Sequence, residues 1–326
     1  MNTKTVAAAG LLGASVVVGV VALFPAYLAG APVTAQVDQL VLDSLLLAGW
    51  ALAVALLLAR HPGAGAGLAT GVTVAAVGLR LADVGAVIHG GASLAGAGLW
   101  LTVAGWFLAA AGAVTAVMAG AKRAVGGPTC HPWPVAILAG AASTLTAVAF
   151  VPGWDAYHIV IASQSRTVTQ TLGNAFSSPW PVTAGNAVVV AAIGLVPVIA
   201  VLWRPRVFGT ALLGGLLVML VGQVASALAL TDQAVSAAQL GIGAAQATQL
   251  GVHVHTVLNG WFAAEVEGTF ALLAVWVARW LLPDRKPPVA APAPTGGISP
   301  AGWLEETPVQ WSDAPSSAAT ARKASW

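Results

Sequence analysis

Residues 183–230 read TAGNAVVVAAIGLVPVIAVLWRPRVFGTALLGGLLVMLVGQVASALAL, two apolar runs separated by the basic joint Arg204-Pro205-Arg206. Each run has the ~20 residues that a helix needs to cross a hydrocarbon core about 30 Å thick. In lipid every backbone N–H and C=O must find its partner within the segment, which a helix achieves and an open strand does not. A membrane barrel would alternate apolar and polar residues over segments of about ten. These runs are apolar on all sides, so the stretch predicts two spanning helices that turn through a charged joint.

The same pattern extends in both directions. Further runs lie at about 5–28, 40–59, 66–88, 94–119 and 134–152 before this stretch and at 254–282 after it; with 183–202 and 207–230 they make eight spans. Composition agrees: 58% of residues are hydrophobic, 7% are charged, and 37 of 326 are glycine. The predicted class is an all-α polytopic membrane protein with eight transmembrane helices, and its first partner is the lipid bilayer. A net charge of +2 follows from topology and does not point to nucleic acid.

Charge sets the orientation. With the N-terminus inside, Lys4, Arg60, Lys122, Arg123, Arg204, Arg206, Arg279, Arg285, Lys286, Arg322 and Lys323 collect in cytoplasmic joints and tails, and only Arg80 and Arg166 fall elsewhere. Asp38, Asp43, Asp83, Asp155, Asp232, Glu265 and Glu267 lean to the outer side. The positive-inside rule therefore places a multi-pass protein in the cell membrane with both termini cytoplasmic, which needs an even number of spans. Lys4 ahead of an apolar run, with Val33-Thr34-Ala35 beyond it, mimics a secretory signal. A run of roughly 19 residues exceeds the usual 7 to 15, so the expectation is a retained span. The single cysteine, Cys130, excludes an intrachain disulfide and a cysteine-based metal site.

Comparing the chain with itself suggests a duplication. Ala22-Leu23-Phe24-Pro25-Ala26-Tyr27 at the end of span one matches Ala149-Phe150-Val151-Pro152-Gly153-Trp154 at the end of span five. Leu58-Ala59-Arg60 closes span two as Leu202-Trp203-Arg204 closes span six, and Gly105-Trp106-Phe107 resembles Gly260-Trp261-Phe262. Their collinearity predicts a four-plus-four tandem repeat: residues 1–130, residues 131–282, then a Pro-, Ala- and Ser-rich disordered cytoplasmic tail at 283–326 that carries Trp303, Leu304 and Trp311. Four being even, the halves share an orientation, the parallel-repeat arrangement.

Polar residues inside the spans are the functional candidates, because each costs about 2.5 to 3.5 kcal/mol at a helix centre. Arg80 and Asp83 stand three apart on one face of span three. Asp43 of the neighbouring span and Glu265 across the repeat interface are the other partners considered for Arg80. Repeat alignment sets Gln223 one position from the equivalent of Arg80 and Asn186 one position from the equivalent of Asp43. Glu265 and Glu267 lie about 200° apart around a helix, so only one can face the centre, and Glu265 is favoured. The competing reading is that such groups merely neutralise one another, or sit as neutral acids, in a packed helix.

On the outer side, His89, Asp155, His158, His253 and His255 have the donor types of a zinc or copper(II) site, although His253 and His255 align only if their stretch is extended. Ordinary interfacial histidines are the alternative. Most of the thirteen tryptophans read as interfacial belts; Trp50, Trp106 and Trp261 lie deeper and read as packing. Gly67 and Gly71 have the small-xxx-small spacing that lets helices approach closely. The outer loops at 153–182 and 231–252 are expected to form short helices on the leaflet or over a cavity.

The duplicated eight-helix plan resembles that of heme A synthases, and His255–Trp261 is similar to the His-containing helix of copper-resistance D-type membrane proteins. This chain departs from both: it has no Glu-x-x-His-Arg sequence and no histidine deep in a span, so no heme or other cofactor is implied. It also has no P-loop, His-Glu-x-x-His or Gly-x-Ser-x-Gly motif, and enzyme activity is not expected. Two functions fit. The first choice is a small-solute or ion carrier, coupled to protons, which uses Arg80, Asp83 and Glu265. The other is a non-catalytic scaffold that binds another membrane or secreted protein through its outer loops or tail. A water-accessible cavity at the polar residues favours the first, and a dry, packed bundle the second.

Overall fold

Trp203–Arg204 forms a two-residue strand, after which Arg206 opens a new helix, so the joint first singled out is a tight turn between two spans. The structure is a computed structural model that describes residues 3–119, 127–128, 133–164, 166–171, 174–231 and 244–281. Lys122, Arg123, Cys130, Asp232 and the tail at 283–326 lie outside the described residues. Among the described residues eight helices are long and apolar enough to cross a membrane. They are α1 (Thr3–Ala22), α2 (Val37–Leu58), α3 (Pro62–Gly90), α4 (Ala97–Ala119), α5 (Trp133–Phe150), α6 (Trp180–Leu202), α7 (Arg206–Leu230) and α9 (Gly260–Leu281); α8 (Ala244–Leu250) is a short helix between the last two. The chain is an all-α polytopic membrane protein.

Local chemistry sets several ends. Pro62 occupies the first turn of α3, where its missing N–H costs nothing, and Gly91 ends that helix with φ 97°, a conformation open to glycine. At 29 residues, α3 is the longest span. Pro197 lies inside α6, where neighbouring helices tolerate it.

Two predicted boundaries are corrected. Span one ends at Ala22, because Ala26–Leu28 is strand β1, paired with β2 (Ala31–Pro32). The last span starts at Gly260, because Val252–Leu258 is strand β7. The loop at 153–182, expected to be helical, instead holds β4 (Asp155–Ile161) and β5 (Arg166–Thr171), and the three strands make an antiparallel sheet in the order β5-β4-β7. The reason lies in period and residue type: Val252-His-Val-His-Thr alternates β-branched residues with a period of two, and four of the six residues of Arg166–Thr171 are β-branched. In the loop at 231–252, α8 agrees with the expectation. At the opposite end of the bundle β3 (Gly127–Pro128) pairs with β6 (Trp203–Arg204).

Helix neighbours follow a regular scheme. Within the first four spans α1 packs on α4 and α2, and α3 on α2 and α4; within the last four α5 packs on α9 and α6, and α7 on α6 and α9. Between the two sets, α3 packs on α7 and α6, and α2 packs on α7. No hydrophobic effect drives helices together in lipid, so close van der Waals packing must. Glycine supplies it: Gly67 lies against the Phe208 carbonyl, Gly71 against the Leu212 carbonyl and Gly215, Gly78 against Val189, and Gly85 against Pro181. A Cβ on Gly71 would stand 2.9 Å from Gly215 Cα. The close approach read from Gly67 and Gly71 is thus present, and it joins α3 to α7.

Candidate functional site

Arg80 lies ten residues before the end of α3, roughly 15 Å down the helix at 1.5 Å per residue. A guanidinium at that depth has to be paired, since it cannot lose its proton. Its Nη2 makes an ion pair with Asp43 Oδ1, and Asp43 is the seventh residue of α2. Its Nη1 donates to Asp83 Oδ2 at 3.2 Å, one turn further along α3, and to the Tyr27 hydroxyl at 2.8 Å. The Tyr27 hydroxyl donates in turn to Asp83 Oδ2 at 2.5 Å. Arg80, Asp43 and Tyr27 are buried, at 7%, 4% and 0% exposure. One arginine therefore holds two carboxylates, with a phenol closing the ring of contacts.

Sequence reasoning offered Asp83, Asp43 and Glu265 as partners for Arg80, and the first two pair with it together. Tyr27 was missed, having entered by sequence as the last residue of the Ala22–Tyr27 match. Its strand β1 follows the end of α1 and turns the ring inward, where it packs with Val33, Val87 and Leu99. The deeper tryptophans hold the same helix: Trp50 Nε1 donates to Thr73 Oγ1 at 3.1 Å and Trp106 Nε1 to the Thr73 carbonyl at 3.0 Å. Trp261, by contrast, is the second residue of α9 and 44% exposed, whereas Trp106 is the tenth residue of α4. That proposed sequence match does not hold in depth.

Beside Arg80 is a cavity of about 20 Å³ lined by Ser15, Asp43, Arg80 and Thr102 among others. It has room for about one water molecule. Ser15 Oγ and Arg80 Nε are buried without a hydrogen-bond partner among the described residues. Two larger grooves, of about 370 and 420 Å³, have almost wholly apolar walls and include exposed residues such as Leu52 and Met118. They belong to the lipid-facing side.

The remaining polar candidates neither bond Arg80 nor line the cavity beside it. Glu265, the sixth residue of α9, is fully buried and neither of its carboxyl oxygens has a hydrogen-bond partner among the described residues. Glu267 is exposed, as the 200° separation requires. Gln223 of α7 is 6% exposed, and its Oε1 and Thr269 Oγ1, one turn beyond Glu265, have no hydrogen-bond partner among the described residues. Asn186 serves the connecting loop, its Nδ2 donating to the Ala175 carbonyl at 2.6 Å. Arg279, counted by sequence as a basic cytoplasmic residue, is buried at 5% and donates to the Val201 carbonyl at 2.6 Å and the Trp203 carbonyl at 3.3 Å, closing the C-terminal end of α6.

Of the histidines, His158, His253 and His255 share the sheet, with His158 directly opposite His255. His89 is exposed on the last turn of α3, and the side chain of Asp155 lies outside what the structure describes. Among the described residues no three His, Cys, Asp or Glu side chains are gathered, as they stand, to hold a metal ion. Compared with known proteins, the chain matches no family model, no curated protein and no solved structure.

Proposed function

We propose that the chain is a non-catalytic scaffold of the cell membrane, with both termini cytoplasmic, whose bundle holds the β5-β4-β7 sheet outside for another membrane or secreted protein. The observation that carries this reading is the closure of the polar centre. Solute sites ordinarily occupy about 300–1,000 Å³, whereas the space beside Arg80 is about 20 Å³. The glycine contacts between α3 and α7 also oppose rocking of one half on the other. Purified protein in liposomes is expected to dissipate neither a proton gradient nor a sodium or potassium gradient faster than empty liposomes. A photo-crosslinker at exposed Thr167 or Thr169 should give one discrete adduct in intact cells, and the same probe at Leu52 should not. Gradient dissipation by the parent protein would overturn the scaffold reading.

A proton-coupled carrier is the second reading, and Glu265 is the observation that favours it. A buried carboxyl with no partner is what a protonation site in a membrane helix looks like. In that case any flux should vanish in Glu265→Gln.

We further infer that residues 1–130 and 131–282 are tandem repeats related by an axis along the membrane normal. Exchanging α1–α4 for α5, α6, α7 and α9 carries the pattern of helix neighbours onto itself, including the swap of α3–α6 with α7–α2. The strands support the same exchange: β1 lies between β2 and a bridge to Ala95 just before α4, as β4 lies between β5 and β7 just before α9.

A further inference from the structure

Three of the chain's six histidines meet on one face of the outer sheet. Val252–Leu258 is extended, so His253 and His255, two residues apart, project to the same side. The register sets His158 opposite His255 and Val160 opposite His253, and on the far side of β4 it sets Thr169 opposite His158. The other face of β7 carries Val254 and Thr256, 3% and 6% exposed, and is turned into the protein. His253 is exposed and His158 and His255 are half-buried, so the histidine face is the open one.

Directly opposed residues of an antiparallel pair have Cβ atoms about 4.5–5.5 Å apart, within reach of one shared ion for two imidazoles. We propose that His158 and His255 chelate a borderline divalent cation, zinc or copper(II), with His253 as a third nitrogen ligand and water completing the shell. Nitrogen ligands without carboxylate or carbonyl oxygens select these ions over calcium and magnesium. Binding turns the exposed His253 ring toward the pair, since the three rings are not gathered around one point as they stand. The chain carries the device in its spacing, a His-x-His on one strand and a histidine across from it on the next.

The test uses the full chain, purified in detergent through a tag without histidine and stripped with a chelator. Zinc is titrated calorimetrically, and copper(II) by visible absorption. One ion per chain is expected. His255→Ala and His158→Ala should each weaken binding at least tenfold, His253→Ala several-fold, and His89→Ala not at all. Thr169→His adds an imidazole opposite His158 and should tighten binding at least tenfold, a gain that a misfolded variant cannot mimic. The proposal is overturned if the parent binds no ion, or if His158→Ala and His255→Ala bind as the parent does. It is overturned equally if Thr169→His gains nothing.

Discussion

Replacing Arg80 by Leu removes the guanidinium that faces Asp43, Asp83 and the Tyr27 hydroxyl. Asp83 keeps the hydrogen bond from Tyr27, but Asp43 loses its ion pair in a site 4% exposed. Leaving a buried carboxylate ionised and unpaired costs about 3–5 kcal/mol. Against a total stability of about 5–15 kcal/mol this should lower the melting temperature by on the order of 10 °C. The measurement is thermal unfolding in detergent, followed by loss of the monodisperse peak on size exclusion. Arg80→Lys keeps the charge without the two-pronged fork and should fall between. The double variant Arg80→Leu with Asp43→Leu should recover part of the loss, because the orphaned charge goes with its partner. If Arg80→Leu melts within 1–2 °C of the parent, roughly half a kcal/mol by the same scaling, the arginine is not stapling α2 to α3 and the account of this centre fails.

Tyr27→Phe should cost about 1.5–3 kcal/mol in the same assay, since the lost hydroxyl bonds charged groups on both sides. Gly71→Val, which pushes a side chain into the Leu212 carbonyl and Gly215, should lower stability or expression sharply, whereas Gly194→Ala, with open space around it, should be silent. On a Cys130→Ser background, Thr169→Cys should label with an impermeant maleimide in intact cells and Arg60→Cys only after lysis; the reverse pattern would invert the topology. Arg279→Leu should destabilise the α6–α7 joint by removing the donor to the Val201 and Trp203 carbonyls, read as faster proteolysis after Trp203.

Hydropathy alone was enough to establish eight spans, because the bilayer imposes length and internal hydrogen bonding on each segment independently of its neighbours. The glycine spacing of Gly67 and Gly71 likewise announced a close helix contact, since only a missing side chain permits backbone approach. The same hydropathy misplaced two boundaries: Ala26–Leu28 and Val252–Leu258 are apolar enough for an averaged window to merge them with the adjoining helices, and a strand's period of two is legible only in Val252–Thr256.

Pairing was the province of the tertiary structure. The i, i+3 spacing of Arg80 and Asp83 is local and could be read, but Asp43 and Tyr27 come from other elements, and their contacts depend on how α2 and β1 meet α3. Glu265 was correctly set apart from Glu267 by the angular period of a helix, yet its lack of any partner is a fact about neighbouring helices. The same holds for His158 and His255, 97 positions apart by number. Their opposition arises from strand register, a long-range property that the order of residues along one chain does not contain.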